Sequence, residues 1–157
     1  MKTLNLLLLF FFLFSINSYS LPKCEDGDPL KWNNCEGTYD YKSGDKYKGE
    51  WKDGKPDGRG RMIYADGNRY GGEWKGGEYH GTGRLHLSDG MKHGGEFKNS
   101  MPNGFGVAEF PDGAKYFGEW KDGLPHGLGT HIEPDGATYK GEWKKGKLIK
   151  KEDKGDI

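Results

Sequence analysis

The sequence predicts an all-β chain, an elongated single-layer antiparallel β-meander of stacked hairpins in which each hairpin is a 23-residue repeat. Three observations predict it. An aromatic residue or histidine opens the same phrase at Tyr47, Tyr70, His93, Tyr116 and Tyr139, always 23 residues apart, and a fixed period of this length marks a stacked array. Within each copy apolar and polar residues alternate, the pattern of a half-buried strand. Asp-Gly pairs such as Asp53-Gly54, Asp57-Gly58 and Asp66-Gly67 punctuate the alternating segments, and glycine there supplies the positive φ that tight turns need. No helix-period segment of useful length lies between residues 24 and 147.

Residues 1–20 stand apart from the array. Lys2 gives a positive start, Leu6 to Phe14 is an unbroken apolar run, and Ser18, Tyr19 and Ser20 place small residues where a signal peptidase reads, so the expectation is an export signal cleaved after Ser20. Such a run is shorter than the about 20 apolar residues a spanning helix requires. The destination is a periplasm, a secretory lumen or the cell exterior. Without that segment the chain keeps 23 basic and 24 acidic side chains, a near-neutral balance with no general pull toward nucleic acid or anionic lipid.

Residues 21–46 read as an N-terminal cap. Cys35, Gly37, Tyr41 and Gly44 fall in register with Gly58, Gly60, Tyr64 and Gly67, so half a repeat precedes the first full copy. Cys24 and Cys35, 11 residues apart in an exported chain, are expected to form a disulfide, whose small loop stabilises by about 2 to 3 kcal/mol. Lipid attachment at Cys24 would need a small residue before it, and Lys23 stands there.

The array itself occupies 47–69, 70–92, 93–115, 116–138 and a partial copy at 139–147. In the first copy Tyr47, Gly49 and Trp51 share one face with Gly60, Met62 and Tyr64 across a turn built from Asp53-Gly54 and Asp57-Gly58. Arg59, Arg61 and Ile63 take the other face. The glycines at 49, 72, 95, 118 and 141 leave room for a neighbouring ring to lie flat on the backbone. The candidate binding or structural face is therefore aromatic: Tyr47, Trp51, Tyr64, Tyr70, Trp74, Phe97, Phe110, Tyr116, Trp120, Tyr139 and Trp143. Residues 148–157 form a charged tail, and lysines on a last strand discourage edge-to-edge aggregation.

The phrase Tyr-x-Gly-Glu-Trp-x-x-Gly, followed by Gly-x-Gly and Asp-Gly, resembles the MORN repeat over residues 35 to about 147. The resemblance implies a twisted sheet of hairpins, and a role as a scaffold or as a self-associating or partner-binding module, with phospholipid also a proposed ligand. The third copy departs most, with His93 for Tyr, Phe97 for Trp and Ser100 for Gly, which marks a softer point.

Chemistry finds little foothold. Glu50, Glu73, Glu96, Glu119 and Glu142 form a column, but equivalent residues two strands apart sit about 9.6 Å from one another, too far to share a metal ion. The parallel column Lys52, Lys75, Lys98, Lys121 and Lys144 offsets the mutual repulsion of like charges, about 0.4 kcal/mol per neighbour in water, giving a solvated ladder. His80 and His126 occupy one turn column two repeats apart, and His86, His93 and His131 converge with nothing. No nucleophile triad or phosphate loop can be assembled, so the expectation is no catalytic residue, no metal and no cofactor.

These features point to a non-enzymatic repeat module that binds a protein partner or its own copy outside the cytoplasm. The alternative is a membrane-surface (phospholipid) or glycan binder using the aromatic face and lysine edges. Nucleic acid is not expected. Amino-terminal sequencing of the exported chain is expected to begin at Leu21; an uncleaved Met1 on the exported form would contradict the signal.

Overall fold

The structure, a computed structural model, describes residues 20–25 and 27–152. The expected signal up to residue 19 and the last five residues of the expected tail lie outside them. Eleven strands pair in chain order in one antiparallel sheet: β1 (Cys35–Asp40), β2 (Lys46–Lys52), β3 (Lys55–Ile63), β4 (Arg69–Lys75), β5 (Glu78–His86), β6 (Lys92–Lys98), β7 (Met101–Glu109), β8 (Lys115–Lys121), β9 (Leu124–Ile132), β10 (Thr138–Lys144) and β11 (Lys147–Lys151). The expected meander is the observed architecture. β11 comprises four residues of the expected tail, 148–151, together with Lys147, and completes the fifth hairpin.

The repeat length follows from its parts: a seven-residue strand, a two-residue turn, a nine-residue strand and a five-residue link. Asp53 and Gly54 have φ of 48° and 72°, the pair of positive values that matches a tight turn to strand twist. One expectation needs correction here. Asp57-Gly58 lies inside β3 and not in the turn: Gly49 faces Gly60 but Trp51 faces Pro56, so residues 57–59 oppose Glu50 alone. This is a special bulge of three residues against one, made possible by the positive φ of Gly58 (99°). The shift recurs after Gly72, Gly95 and Gly118.

A continuous aromatic zigzag runs along one face of the sheet. Within a copy the Tyr and Trp rings meet edge to face, as Tyr47–Trp51 (5.0 Å), Tyr70–Trp74 (5.1 Å) and Tyr116–Trp120 (5.2 Å). Each Tyr then meets the large ring of the next copy, as Tyr47–Trp74 (5.2 Å), Tyr70–Phe97 (5.2 Å) and Tyr116–Trp143 (5.4 Å). Edge-to-face pairs set positive ring edges against negative faces, worth about 0.5 to 1.5 kcal/mol beyond area burial.

Backbone clasps hold the copies at their turn ends. Gly54 N donates to the Trp32 carbonyl, Gly77 N to Pro56, Ser100 N to Tyr79, Gly123 N to Pro102 and Gly146 N to Pro125, at 2.8 to 3.1 Å. The N-terminal cap extends the pattern. A short turn of 3-10 helix (Pro29–Lys31), capped by Asp28, delivers Trp32 edge-on to Trp51 at 5.0 Å, and Cys24 is bonded to Cys35.

Trp74 sits in the middle of this chain of rings and is 4 % exposed. Trp74→Ala is expected to destabilise by about 3 to 5 kcal/mol in urea unfolding, and Trp74→Phe by distinctly less. An unchanged midpoint for the alanine variant would contradict a load carried by the zigzag.

Candidate functional site

The structure places the aromatic candidates in two groups. Tyr47, Trp51, Tyr70, Trp74, Phe97, Tyr116, Trp120 and Trp143 are buried, at 0 to 9 % exposure; Tyr64 and Phe110 are half-buried and Tyr139 is exposed at 39 %. The rings of the first group are covered although the sheet has a single layer. The reason is the glycine pair beneath each tyrosine. At Gly60 or Gly83 an added Cβ would run into the ring of Tyr47 or Tyr70, so the ring lies down on the backbone and is covered by its neighbours. Sequence reasoning passed over Tyr79, which stacks on Tyr70 at 3.8 Å and shares a 2.6 Å hydroxyl hydrogen bond with Tyr64.

The tyrosine hydroxyl has a defined partner. Tyr47 donates to the Glu50 carbonyl (3.0 Å), Tyr70 to Glu73 (2.9 Å) and Tyr116 to Glu119 (3.2 Å), in each case the residue at which the bulge shifts the register. Burial, followed by the nearby Glu119 carboxylate, pushes the Tyr116 hydroxyl up to about 12, and the same causes raise Tyr47 and Tyr70. The hydroxyl thus stays a donor at any working pH.

The glutamate column closes the bulge from the opposite face. Glu73 Oε1 accepts from Thr82 N (3.0 Å), Glu96 from Phe105 N (2.9 Å) and Glu119 from Leu128 N (3.0 Å). These carboxylates are acceptors for bulged amides, beyond the solvated ladder expected of them. His80 and His126, expected in a turn, lie within β5 and β9 beside the same bulges. Among the described residues no group of three or more His, Cys, Asp or Glu is placed to hold a metal ion.

The defects gather where the third copy meets the fourth. Trp51, Trp74 and Trp143 donate their indole N–H to the carbonyls of Gly37, Gly60 and Gly129 at 3.0 to 3.2 Å, whereas the buried Trp120 Nε1 has no partner. His93, 2 % exposed, has partners for neither ring nitrogen. It packs edge-on against Phe97 (5.1 Å) and Trp120 (4.7 Å), opposite Leu85 and Ala108 on the flanking strands. The buried core divides here into two clusters, one ending at Phe97 and the other starting at Ala108.

The opposite face of the sheet changes character along its length. In the columns where β3 and β5 carry Arg59, Arg61, Thr82 and Arg84, β7 and β9 carry Phe105, Val107, Leu128 and Thr130. Val107 pairs across to Phe117. Phe105 (65 %), Val107 (45 %), Phe117 (41 %) and Leu128 (67 %) are all open to solvent. Beyond them a groove of about 450 Å³ is lined by Leu128, Thr130, Lys140, Glu142 and Lys150. Sequence reasoning did not single out Phe105, Val107, Phe117 or Leu128; a column-by-column comparison of the copies would have found them.

Burial holds the His93 imidazole well below its ordinary value, at about 4. The unfolded chain binds this proton near 6.5 and the folded chain only near 4, so this group's contribution falls as pH drops through that window, by up to about 3 kcal/mol, and levels off below it. His93→Tyr removes that term and supplies a hydroxyl for the Glu96 carbonyl. The expected outcome is a smaller difference in urea midpoint between neutral pH and pH near 4.5 than in the parent chain; an identical pH dependence would contradict the assignment.

A search of the curated proteins finds no match. Among the described residues no helix is long and apolar enough to cross a membrane. The family model for the MORN repeat matches at 47–69, 70–94, 95–115, 116–138 and 139–148, with the boundary between second and third copies two residues later than the sequence reading drew it. The MORN repeat is a non-catalytic module, and its general role is interaction with proteins or membranes. Five consecutive matches cover well over half of the chain, and the protein therefore belongs to the MORN repeat family.

Proposed function

We propose that this chain is an exported, non-enzymatic scaffold that binds a protein partner through the face opposite its aromatic zigzag. The observation that favours this reading is the cluster of open Phe105, Val107, Phe117 and Leu128 on a sheet where eight of the eleven candidate rings are buried. Exposed apolar side chains grouped in this way mark interaction sites on soluble proteins. The export signal expected in residues 1–20 and the Cys24–Cys35 bond both fit an oxidising compartment.

Glycan stacking draws less support, since eight of the eleven candidate rings offer almost no surface to a sugar. Phospholipid binding would use Lys144, Lys145, Lys147, Lys150 and Lys151, although Lys140 in the same region is paired to Glu152 at 2.6 Å.

Crosslinking in the exporting cell, followed by recovery of the tagged chain, is expected to yield a discrete protein adduct, and Phe105→Ser with Leu128→Ser is expected to remove it without altering the melting midpoint. A strictly monomeric chain in light scattering with no adduct would overturn the reading. Flotation with anionic liposomes at both low and moderate salt would favour the membrane alternative.

A further inference from the structure

We infer that the open face recognises an extended peptide segment of its partner that is acidic at one end and apolar at the other, with the acidic end seated in a glycine-floored trough between Arg61 and Arg84. The inference rests on the protein-binding reading above and specifies the chemistry of the bound segment.

The chain contains four arginines, Arg59, Arg61, Arg69 and Arg84, and all lie exposed on β3, β4 and β5. Among the described residues none of them has a carboxylate within salt-bridge distance, while Lys23, Lys46, Lys92 and Lys140 do. Every cation elsewhere in the chain is lysine or histidine. Concentrating arginine in one place favours planar, bidentate recognition of carboxylate oxygens over a diffuse positive surface.

The cross-strand register sets these groups in a row. Lys48 faces Arg61, Arg61 faces Gly71, Gly71 faces Arg84, and Arg84 faces Gly94. Gly94 then faces Val107, and Val107 faces Phe117. A single row across the strands thus reads cation, cation, bare backbone, cation, bare backbone, apolar, apolar.

Gly71 and Gly94 are the unexplained members. Neither has positive φ. An added Cβ at Gly71 would meet nothing within 4 Å, and one at Gly94 would meet only Arg84 Cγ at 3.8 Å. The equivalent column holds Lys48, Phe117 and Lys140 in the other copies, so the fold accepts a large side chain there. Glycine weakens a strand without a packing benefit unless something approaches the backbone closely. A bound segment lying over Gly71 between two guanidinium groups is that approach.

Spacing sets the ligand's pattern. Arg61 to Arg84 and Arg84 to Val107 are each two strands, about 9.6 Å. A peptide in the extended polyproline II form rises about 3.1 Å per residue and returns to the same face every three residues, so two acidic positions three residues apart, followed three residues later by an apolar one, satisfy the row. Glu73 and Glu96, two residues along from Gly71 and Gly94, accept from Thr82 N and Phe105 N.

The test is a selection of short random peptides on the full exported chain, with affinities of the recovered peptides measured by fluorescence anisotropy. Enriched peptides are expected to carry the spaced acidic-then-apolar pattern. They are expected to bind roughly tenfold or more weakly to Arg61→Gln/Arg84→Gln, and to lose affinity on Gly71→Thr, which fills the trough with a residue suited to a strand and leaves every charge in place. Far-ultraviolet melting of both variants should match the parent. Enriched peptides without acidic residues, or binding indifferent to both variants, would overturn the inference. Should the crosslinked protein adduct persist in Arg61→Gln/Arg84→Gln, partner binding stands and the peptide chemistry falls; absence of both adduct and enriched peptides removes both. Binding of phosphatidylglycerol vesicles that requires Arg61 and Arg84, with no enriched peptide, would assign the trough to lipid and overturn the peptide.

Discussion

One contact unit sets the form of this molecule: a tyrosine ring lying on a facing pair of glycines, with its hydroxyl donated to the glutamate carbonyl that a bulge has released. Tyr47 over Gly49 and Gly60, bonded to Glu50, is the first copy. The bulge needs the hydroxyl to satisfy the carbonyl, the ring needs the glycines to lie down, and the next tryptophan needs the ring's face for its own edge. Two-residue turns and five-residue links serve mainly to return the chain to this unit every 23 residues. A single-layer sheet has no second layer to cover its apolar face, and self-covering rings replace it.

The hairpins and their order were legible because two independent signals agreed: the spacing of Tyr47, Tyr70, His93, Tyr116 and Tyr139, and the alternation around them. The bulge was not, because Asp57-Gly58 is the same dipeptide that makes a turn at Asp53-Gly54. What separates them is strand length, nine residues against seven, which only pairing reveals. The buried state of the spine was half legible. The glycine columns were read as room for a ring, yet the conclusion that the rings would then be inaccessible depends on how closely successive edges and faces meet. The open patch was hidden for another reason. Phe105, Val107 and Phe117 occur in columns that mostly carry Arg, Lys, Thr or Gly in the other copies, and reading the repeats for their likeness obscures the positions where they differ.

The third copy shows what the unit costs when it is incomplete. His93 brings an imidazole too short for the carbonyl, Phe97 brings no N–H, and Trp120 is left with an unpartnered indole. An unsatisfied buried polar group costs about 1 to 3 kcal/mol, so three such atoms at one level make this the weakest joint of the array. It lies where the cationic end of the opposite face gives way to the apolar end.

Function then follows from which face is left open. The zigzag consumes most of the large rings, Glu73, Glu96 and Glu119 are bonded at the bulges, and the variable lattice of the other face is left open. Hydroxyl-radical footprinting read by mass spectrometry tests this division most directly. Oxidation concentrated at Phe105, Phe117 and Leu128, with Tyr47, Trp51, Tyr70, Trp74 and Tyr116 protected until the chain unfolds, is the predicted result. Spine rings labelled as fast as Phe105 in the folded chain would contradict it.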